Sequence, residues 1–306
     1  MIDDAAARTR RALLAGLGAY GLWGLVPLFF KLLGAVGAGE IIAHRVVWSV
    51  LFLLAVLLLR HGRGFFRHVR ITPRVAAALL VSGALVAFNW LVFVYAINTD
   101  RVLSTSLGYY INPLVSVLLG TIVLGERMIG AQVLAVLLAA AGTLWLTVAS
   151  GQPPWLSLAL AFSFGLYGLV RKLTDVGPMV GLFWETLMMM PVALAWLVWT
   201  GQSGDSAFGD SVSISLLLAA SGLVTVVPLV LFATAARGLP LVTVGLMQYI
   251  APSISFCLAV FLFRETFTFD HGVAFVCIWT ALALYSWAGW QRTRQLRRLA
   301  RAQAAH

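Results

Sequence analysis

The sequence predicts an all-α polytopic membrane protein of ten transmembrane helices, arranged as two inverted five-helix repeats. Three observations carry this prediction: a composition too apolar for water, a succession of charge-poor runs of spanning length, and a set of residues that occurs twice. Of the 306 residues, 61% are hydrophobic and 10% are charged, against roughly 25% charged in an ordinary soluble domain. With a mean hydropathy of +0.95 there are too few polar side chains to cover a soluble globule. The same balance excludes a disordered chain. Two cysteines alone, Cys257 and Cys277, exclude a disulfide scaffold.

A bilayer-spanning helix needs about 20 apolar residues, and the chain supplies them in order. The first run, 12–33, carries only Lys31, and the second, 41–59, carries His44 and Arg45. Runs 75–98, 102–125 and 129–149 contain no Asp, Glu, Lys or Arg. The sixth is 155–172, and the seventh, 179–200, holds Glu185. Runs 214–236, 238–263 and 272–290 complete the ten and are again free of those charges. Lipid offers no partner to backbone amides, so each run closes its hydrogen bonds internally as a helix. Continuous apolar stretches such as 134–141 do not alternate, which excludes a β-barrel.

All but Lys31, Arg45, Arg101 and Arg264 of the 21 basic residues fall on one side if the N-terminus is cytoplasmic. That is the positive-inside pattern. The net charge of +10 therefore reads as topology, not as affinity for nucleic acid, and both termini are expected in the cytoplasm. Residues 291–306 form a basic cytoplasmic tail.

Gly21-Leu22-Trp23-Gly24-Leu25 returns as Gly165-Leu166-Tyr167-Gly168-Leu169. Tyr110-Ile111-Asn112-Pro113 returns 139 positions later as Tyr249-Ile250-Ala251-Pro252, and Glu126 and Glu265 each follow their proline by 13 residues. The expected units are 12–150 and 153–290. An odd number of spans per unit makes the second enter from the opposite face, the inverted arrangement of secondary transporters with a site near the midplane.

Counting 1.5 Å per residue brings Trp23, Asn89, Tyr109, Tyr110, Asn112, Tyr167, Thr225, Gln248 and Tyr249 to mid-depth. Unpaired polar groups are costly in hydrocarbon and gather at partners or wet cavities. For Asn89 and Gln248 the alternative is an interhelical hydrogen bond; for Trp23 and the tyrosines it is core packing. Arg45 and Glu185 are the costliest intramembrane residues. Arg45 is expected near the outer vestibule, with snorkelling as the alternative, and Glu185 in the inner half. Their depths differ too much for a direct salt bridge. His44, sharing a helical face with Glu40, is a candidate for proton coupling through its near-neutral reference pKa, or a hydrogen-bonded interfacial histidine. Glu185 is the second coupling candidate. Pro113, Pro228 and Pro252 are candidate kinks.

No Walker A, HExxH or G-x-S-x-G pattern occurs. Gly16-Leu17-Gly18-Ala19-Tyr20-Gly21 fits G-x-G-x-x-G but lies inside a membrane helix with no preceding strand. No cofactor or metal is expected.

The chain resembles the drug/metabolite transporter superfamily, in particular its EamA-type members and RarD-like permeases. The resemblance rests on 18–24 with Pro27 and Lys31, on Glu40-Ile41-Ile42-Ala43-His44-Arg45, and on Asn89-Trp90. Tyr109-Tyr110-Ile111-Asn112-Pro113, Leu124-Gly125-Glu126-Arg127, Glu185 with Pro191, and 246–252 running to Glu265 extend it. It implies two inverted EamA repeats in a bacterial inner membrane. It also implies a cavity lined by helices one to four and six to nine, with helices five and ten as scaffold, and Trp90 joins the cavity set on this basis. The implied function is export or exchange of a small organic solute by alternating access. The alternatives are a membrane-embedded enzyme acting on a lipid-linked substrate and a non-transporting receptor. The partners expected are the solute, the bilayer and optionally protons, with no nucleic acid; the sequence leaves the oligomeric state open.

Overall fold

A computed structural model describes residues 2–98, 102–151, 155–262 and 268–304. Arg101, Arg264, Glu265 and the expected unit boundary at 153 lie outside them. The helices are α1 (Ile2–Lys31), α2 (Ala38–His61), α3 (Pro73–Asn98), α4 (Val102–Ile122) and α5 (Gly130–Ala149). They continue as α6 (Trp155–Leu173), α7 (Pro178–Ser203) and α8 (Val212–Gly238). The ninth is split into α9a (Leu241–Met247) and α9b (Ile250–Cys257) and ends in a π-helical turn, Leu258–Leu262; α10 is Phe269–Ala304. Among the described residues nine helices are long and apolar enough to span a membrane, and α4 contributes the shorter apolar stretch Leu107–Ile122. The one non-helical pairing among them is an isolated bridge between Phe208 and Ser211.

Three boundaries differ from the sequence expectation. α1 reaches back to Ile2. α10 runs on through most of the tail, because 291–304 has neither Gly nor Pro and is rich in Ala, Leu, Arg and Gln, all strong helix formers. The ninth span starts at Leu241 rather than at 238, after the Leu239-Pro240 turn, and breaks at Gln248–Tyr249. The break is the work of Pro252. Its ring excludes the helical bond to the Gln248 carbonyl, and that carbonyl instead accepts from Ala251 N at 3.2 Å. Pro113 and Pro228 sit inside continuous helices.

The main helix contacts keep their pattern when each helix is exchanged with the one five later. α1 packs on α8 as α6 packs on α3; α2 packs on α8 as α7 on α3; α4 packs on α6 as α9b on α1. α2 with α7, α4 with α9a, and α5 with α10 are self-exchanging pairs. The chain is thus two interleaved five-helix repeats, and most of each repeat's neighbours belong to the other. α5 and α10 pack mainly on each other.

Lipid tails are as apolar as leucine, so these contacts gain from close packing and interhelical hydrogen bonds. Gly222 shows the closeness at the α2–α8 crossing, where a Cβ would stand 2.5 Å from Trp48 Cβ. A large buried cluster joins Tyr20, Leu53, Leu57, Tyr167, Leu182, Phe183 and Phe232 to Phe65, Val69, Leu239 and Leu241 at the α2–α3 and α8–α9 turns. The half of the bundle on the side of the termini is therefore packed shut.

Candidate functional site

Arg45 leaves α2 on its buried side and reaches α8. Its Nε donates to Thr225 Oγ1 at 2.9 Å, and Thr225 commits its own proton to Ser221 O at 2.8 Å. The guanidinium lies over the Trp90 ring, 4.6 Å from its centroid, and 5.4 Å from that of Phe30. The hydroxyl of Tyr109 interacts electrostatically with it, and Tyr109 is 51% exposed. No carboxylate among the described residues forms a salt bridge with Arg45. The Nη1 and Nη2 groups hydrogen-bond to nothing described, yet they are not sealed from solvent. A charged edge within the bundle thus remains partly exposed, on the side away from the termini.

Glu185, on α7, is fully buried and its carboxylate is held by three residues from two helices, α3 and α6. Ser82 on α3 donates to Oε1, Tyr167 Oη on α6 donates to Oε2 at 3.5 Å, and Arg171 Nη1 lies 3.6 Å from Oε1. Arg171 is itself 1% exposed, with Nη2 donating to Pro178 O at 3.2 Å. Arg171, read from the sequence only as an inner-side charge at the end of the sixth run, is the buried counter-ion of Glu185. As the depth argument requires, Glu185 does not pair with Arg45.

The two charges occupy corresponding positions, α2 to α8 and α7 to α3. The signal the sequence reading missed is Ser82-Gly83 returning as Ser221-Gly222, 139 positions later. Gly83 lies under the backbone of Glu185, and Gly222 under that of Trp48 and Ser49. Between the charges stands an aromatic partition. Trp23 and Tyr167, equivalent in the repeat, each meet both Phe164 and Phe232, with ring centroids between 5.6 and 5.8 Å apart.

The remaining sequence candidates lie elsewhere. Asn89 Nδ2 donates to Leu160 O and Ser163 Oγ, both at 2.9 Å, so it ties α3 to α6. Tyr110 and Tyr249 are buried against α5 and α10: Thr143 donates to Tyr110 O at 3.4 Å, and its hydroxyl is 3.3 Å from Tyr249 Oη. Gln248 Nε2 donates to Ser116 Oγ at 3.1 Å, while Gln248 Oε1 and Asn112 Oδ1 are buried with no hydrogen-bond partner among the described residues. His44 is buried, stacked 4.8 Å from the Phe208 ring and 3.8 Å from Glu40. Glu40 accepts from Ser206 Oγ at 2.9 Å and from the amides of Ala207 and Phe208, pinning the α7–α8 loop across the far mouth.

Glu126 does the corresponding work on the termini side. It accepts from Leu241 N at 2.6 Å and Val242 N at 2.8 Å, satisfying two open amides at the start of α9a. Lys172, 3.8 Å from Glu126, donates to Ala236 O at 3.2 Å and to Leu239 O.

Against known proteins, the EamA-like transporter family matches the chain twice, at residues 10–148 and 154–287. The chain belongs to the EamA-like transporter family. Over 298 residues this EamA-like transporter is 44% identical to the protein RarD of Streptomyces exfoliatus, covering 97% of this chain and 94% of that one. An uncharacterized transporter of Pseudomonas aeruginosa is 45% identical over 95% and 98% of the two chains. The protein RarD of Escherichia coli is 43% identical over 92% and 95%. A solved crystal structure superposes with a TM-score of 0.71 at 20% identity, covering 90% of this chain and 97% of its own, which supports the fold alone. The transporter is thus a multi-pass membrane protein with RarD-like relatives.

Proposed function

We propose that this transporter is a secondary carrier of a small organic solute, an exporter or exchanger, working by alternating access. In this reading 12–150 and 153–290 are the two moving units, and the chain sits in a bacterial inner membrane with both termini cytoplasmic. The observation that carries the reading is the exchange symmetry of the helix contacts joined to an uneven interior. The half towards the termini is packed on the Trp23, Phe164, Tyr167 and Phe232 rings, while Arg45 and Tyr109 remain accessible on the other side. Two near-equivalent units that can swap these packings would open the site to each face in turn.

Arg45, Trp90, Tyr109 and Thr225 form the solute end of the path, and Trp23 with Tyr167 forms its floor. Tyr110, Asn112, Gln248 and Tyr249 serve the α4–α9 contact. Glu185 is the coupling residue if protons drive transport; His44 is the second candidate, at the far mouth. The test is a single cysteine at Tyr109 in a chain lacking Cys257 and Cys277, probed with membrane-impermeant maleimide from each face of sealed vesicles. Labelling from both faces is the expected result. Labelling from one face only would leave a receptor-like pocket and defeat the proposal. Flux with and without a pH gradient, compared with Glu185→Gln, decides the coupling.

A further inference from the structure

We infer that the partly exposed edge of Arg45 receives the carboxylate of an organic monoanion with a flat apolar body. This rests on the alternating-access reading and names the substrate class of the same site. The argument is one of elimination around a single guanidinium. One edge, through Nε, is taken by Thr225. The guanidinium carbon also lies over the rings of Trp90 and Phe30, 4.6 and 5.4 Å from their centroids. What remains is the Nη1–Nη2 edge, not sealed from solvent and without an acceptor among the described residues. That edge is a planar fork matching two carboxylate oxygens bidentately.

The charge balance points the same way. A guanidinium taken from water without a counter-ion is costly, and cation–π contacts offset only part of that cost. Glu185, at the corresponding place in the other repeat, has its counter-ion built in as Arg171. Arg45 has none among the described residues, so its counter-ion arrives with the ligand. One positive charge balances a monoanion and leaves a phosphate dianion with excess charge. No described carboxylate beside Arg45 awaits an ammonium group, so an amino acid gains nothing from its amine there. The half-exposed Tyr109, whose hydroxyl interacts electrostatically with Arg45, and the Trp90 ring over the guanidinium are the apolar surfaces on offer to such a body.

The experiment uses the full chain in lipid nanodiscs and measures binding of 3-phenylpropanoate, 3-phenylpropanamide, phenylalanine and phenyl phosphate by calorimetry. The acid should bind, and the neutral amide should bind about tenfold or more weakly, the worth of one charge-assisted hydrogen bond. Arg45→Gln should weaken the acid by a similar factor and leave the amide unchanged. Arg45→Lys, which keeps charge without the fork, should fall between them. Equal binding of acid and amide, no binding of the acid, or tighter binding of phenyl phosphate or phenylalanine would overturn the inference. If Arg45→Gln does not fold, the wild-type acid-to-amide ratio and Arg45→Lys still decide. Two-sided labelling at Tyr109 with no carboxylate preference defeats this inference alone. Carboxylate binding with one-sided labelling defeats the transport reading alone.

Discussion

Replacing Glu185 by Gln keeps the side chain's size and removes its charge. The cost falls on Arg171, which is 1% exposed and has no hydrogen-bond acceptor at Nε or Nη1. Its remaining contact is the bond from Nη2 to Pro178 O at 3.2 Å. Breaking a buried ion pair by removing one partner costs about 3–5 kcal/mol, because the surviving charge stays buried. Gln can still accept from Ser82, so the lower end, about 3 kcal/mol, is the expected loss. Arg171→Met should cost less, about 1–3 kcal/mol, since Ser82 and Tyr167 still donate to the carboxylate and protonation can neutralise it. The double variant Arg171→Met with Glu185→Leu removes both charges and should recover most of the loss, as apolar replacement of buried pairs often does. Unfolding by a graded SDS fraction in mixed micelles, followed by tryptophan fluorescence, measures all three. A Glu185→Gln protein as stable as the parent, or a double variant no better than the worse single one, would show that the pair does not hold α6 and α7 together.

Gly222→Ala places a Cβ 2.5 Å from Trp48 Cβ and should cost about 1–3 kcal/mol by overpacking, read as a lowered melting temperature in detergent. Glu126→Ala leaves the Leu241 and Val242 amides without their acceptor; a lost helix cap costs about 0.5–2 kcal/mol, and amide exchange at 241–244 should speed up while exchange in α5 stays unchanged. Asn89→Ala removes the tie to Leu160 O and Ser163 and should lower stability by about 0.6–2 kcal/mol. It should leave solute binding within twofold of the parent, the opposite pattern to Arg45→Gln.

The spans were legible because lipid imposes a length and a composition that local sequence must meet. The repeat was legible because a duplicated unit keeps its prolines and charges at fixed offsets. Rotation about the helix axis was not legible. Tyr109 and Tyr110 are adjacent in sequence and nearly equal in depth, yet one is half exposed near Arg45 and the other is buried against Phe275. Only the neighbouring helices decide which way each turns. The partner of Arg171 was not legible for a similar reason, since a charge in the last turn before a loop shows its side but not its counter-ion until α7 is seen lying across it. Glu40 was placed at the mouth beside His44, but its bonds to Ser206 and Ala207 cross more than 160 positions of chain, and nothing local announces them.

The two charges at corresponding places differ in one respect that bears on the transport cycle. Glu185 is neutralised within the protein and Arg45 is not. Opening the termini side of an empty carrier would have to hydrate or separate the Glu185–Arg171 pair, whereas the far side already tolerates an open Arg45. On the alternating-access proposal, the empty protein is therefore biased towards the far-open packing. A ligand shifts a two-state equilibrium only by its differential affinity, and a charge-assisted bidentate contact of about 3 kcal/mol, if completed only in the opposite packing, is roughly a hundredfold shift. That is enough to turn a one-to-ten population into ten-to-one. The bias itself can be removed without the ligand. In the Arg171→Met, Glu185→Leu background, a cysteine at Val86, which is buried within the closed half, should label from the termini side several-fold faster than in the parent carrying Val86→Cys alone. Equal rates would mean that the ion pair does not set the resting state, and that the packing of Trp23, Phe164, Tyr167 and Phe232 does so unaided.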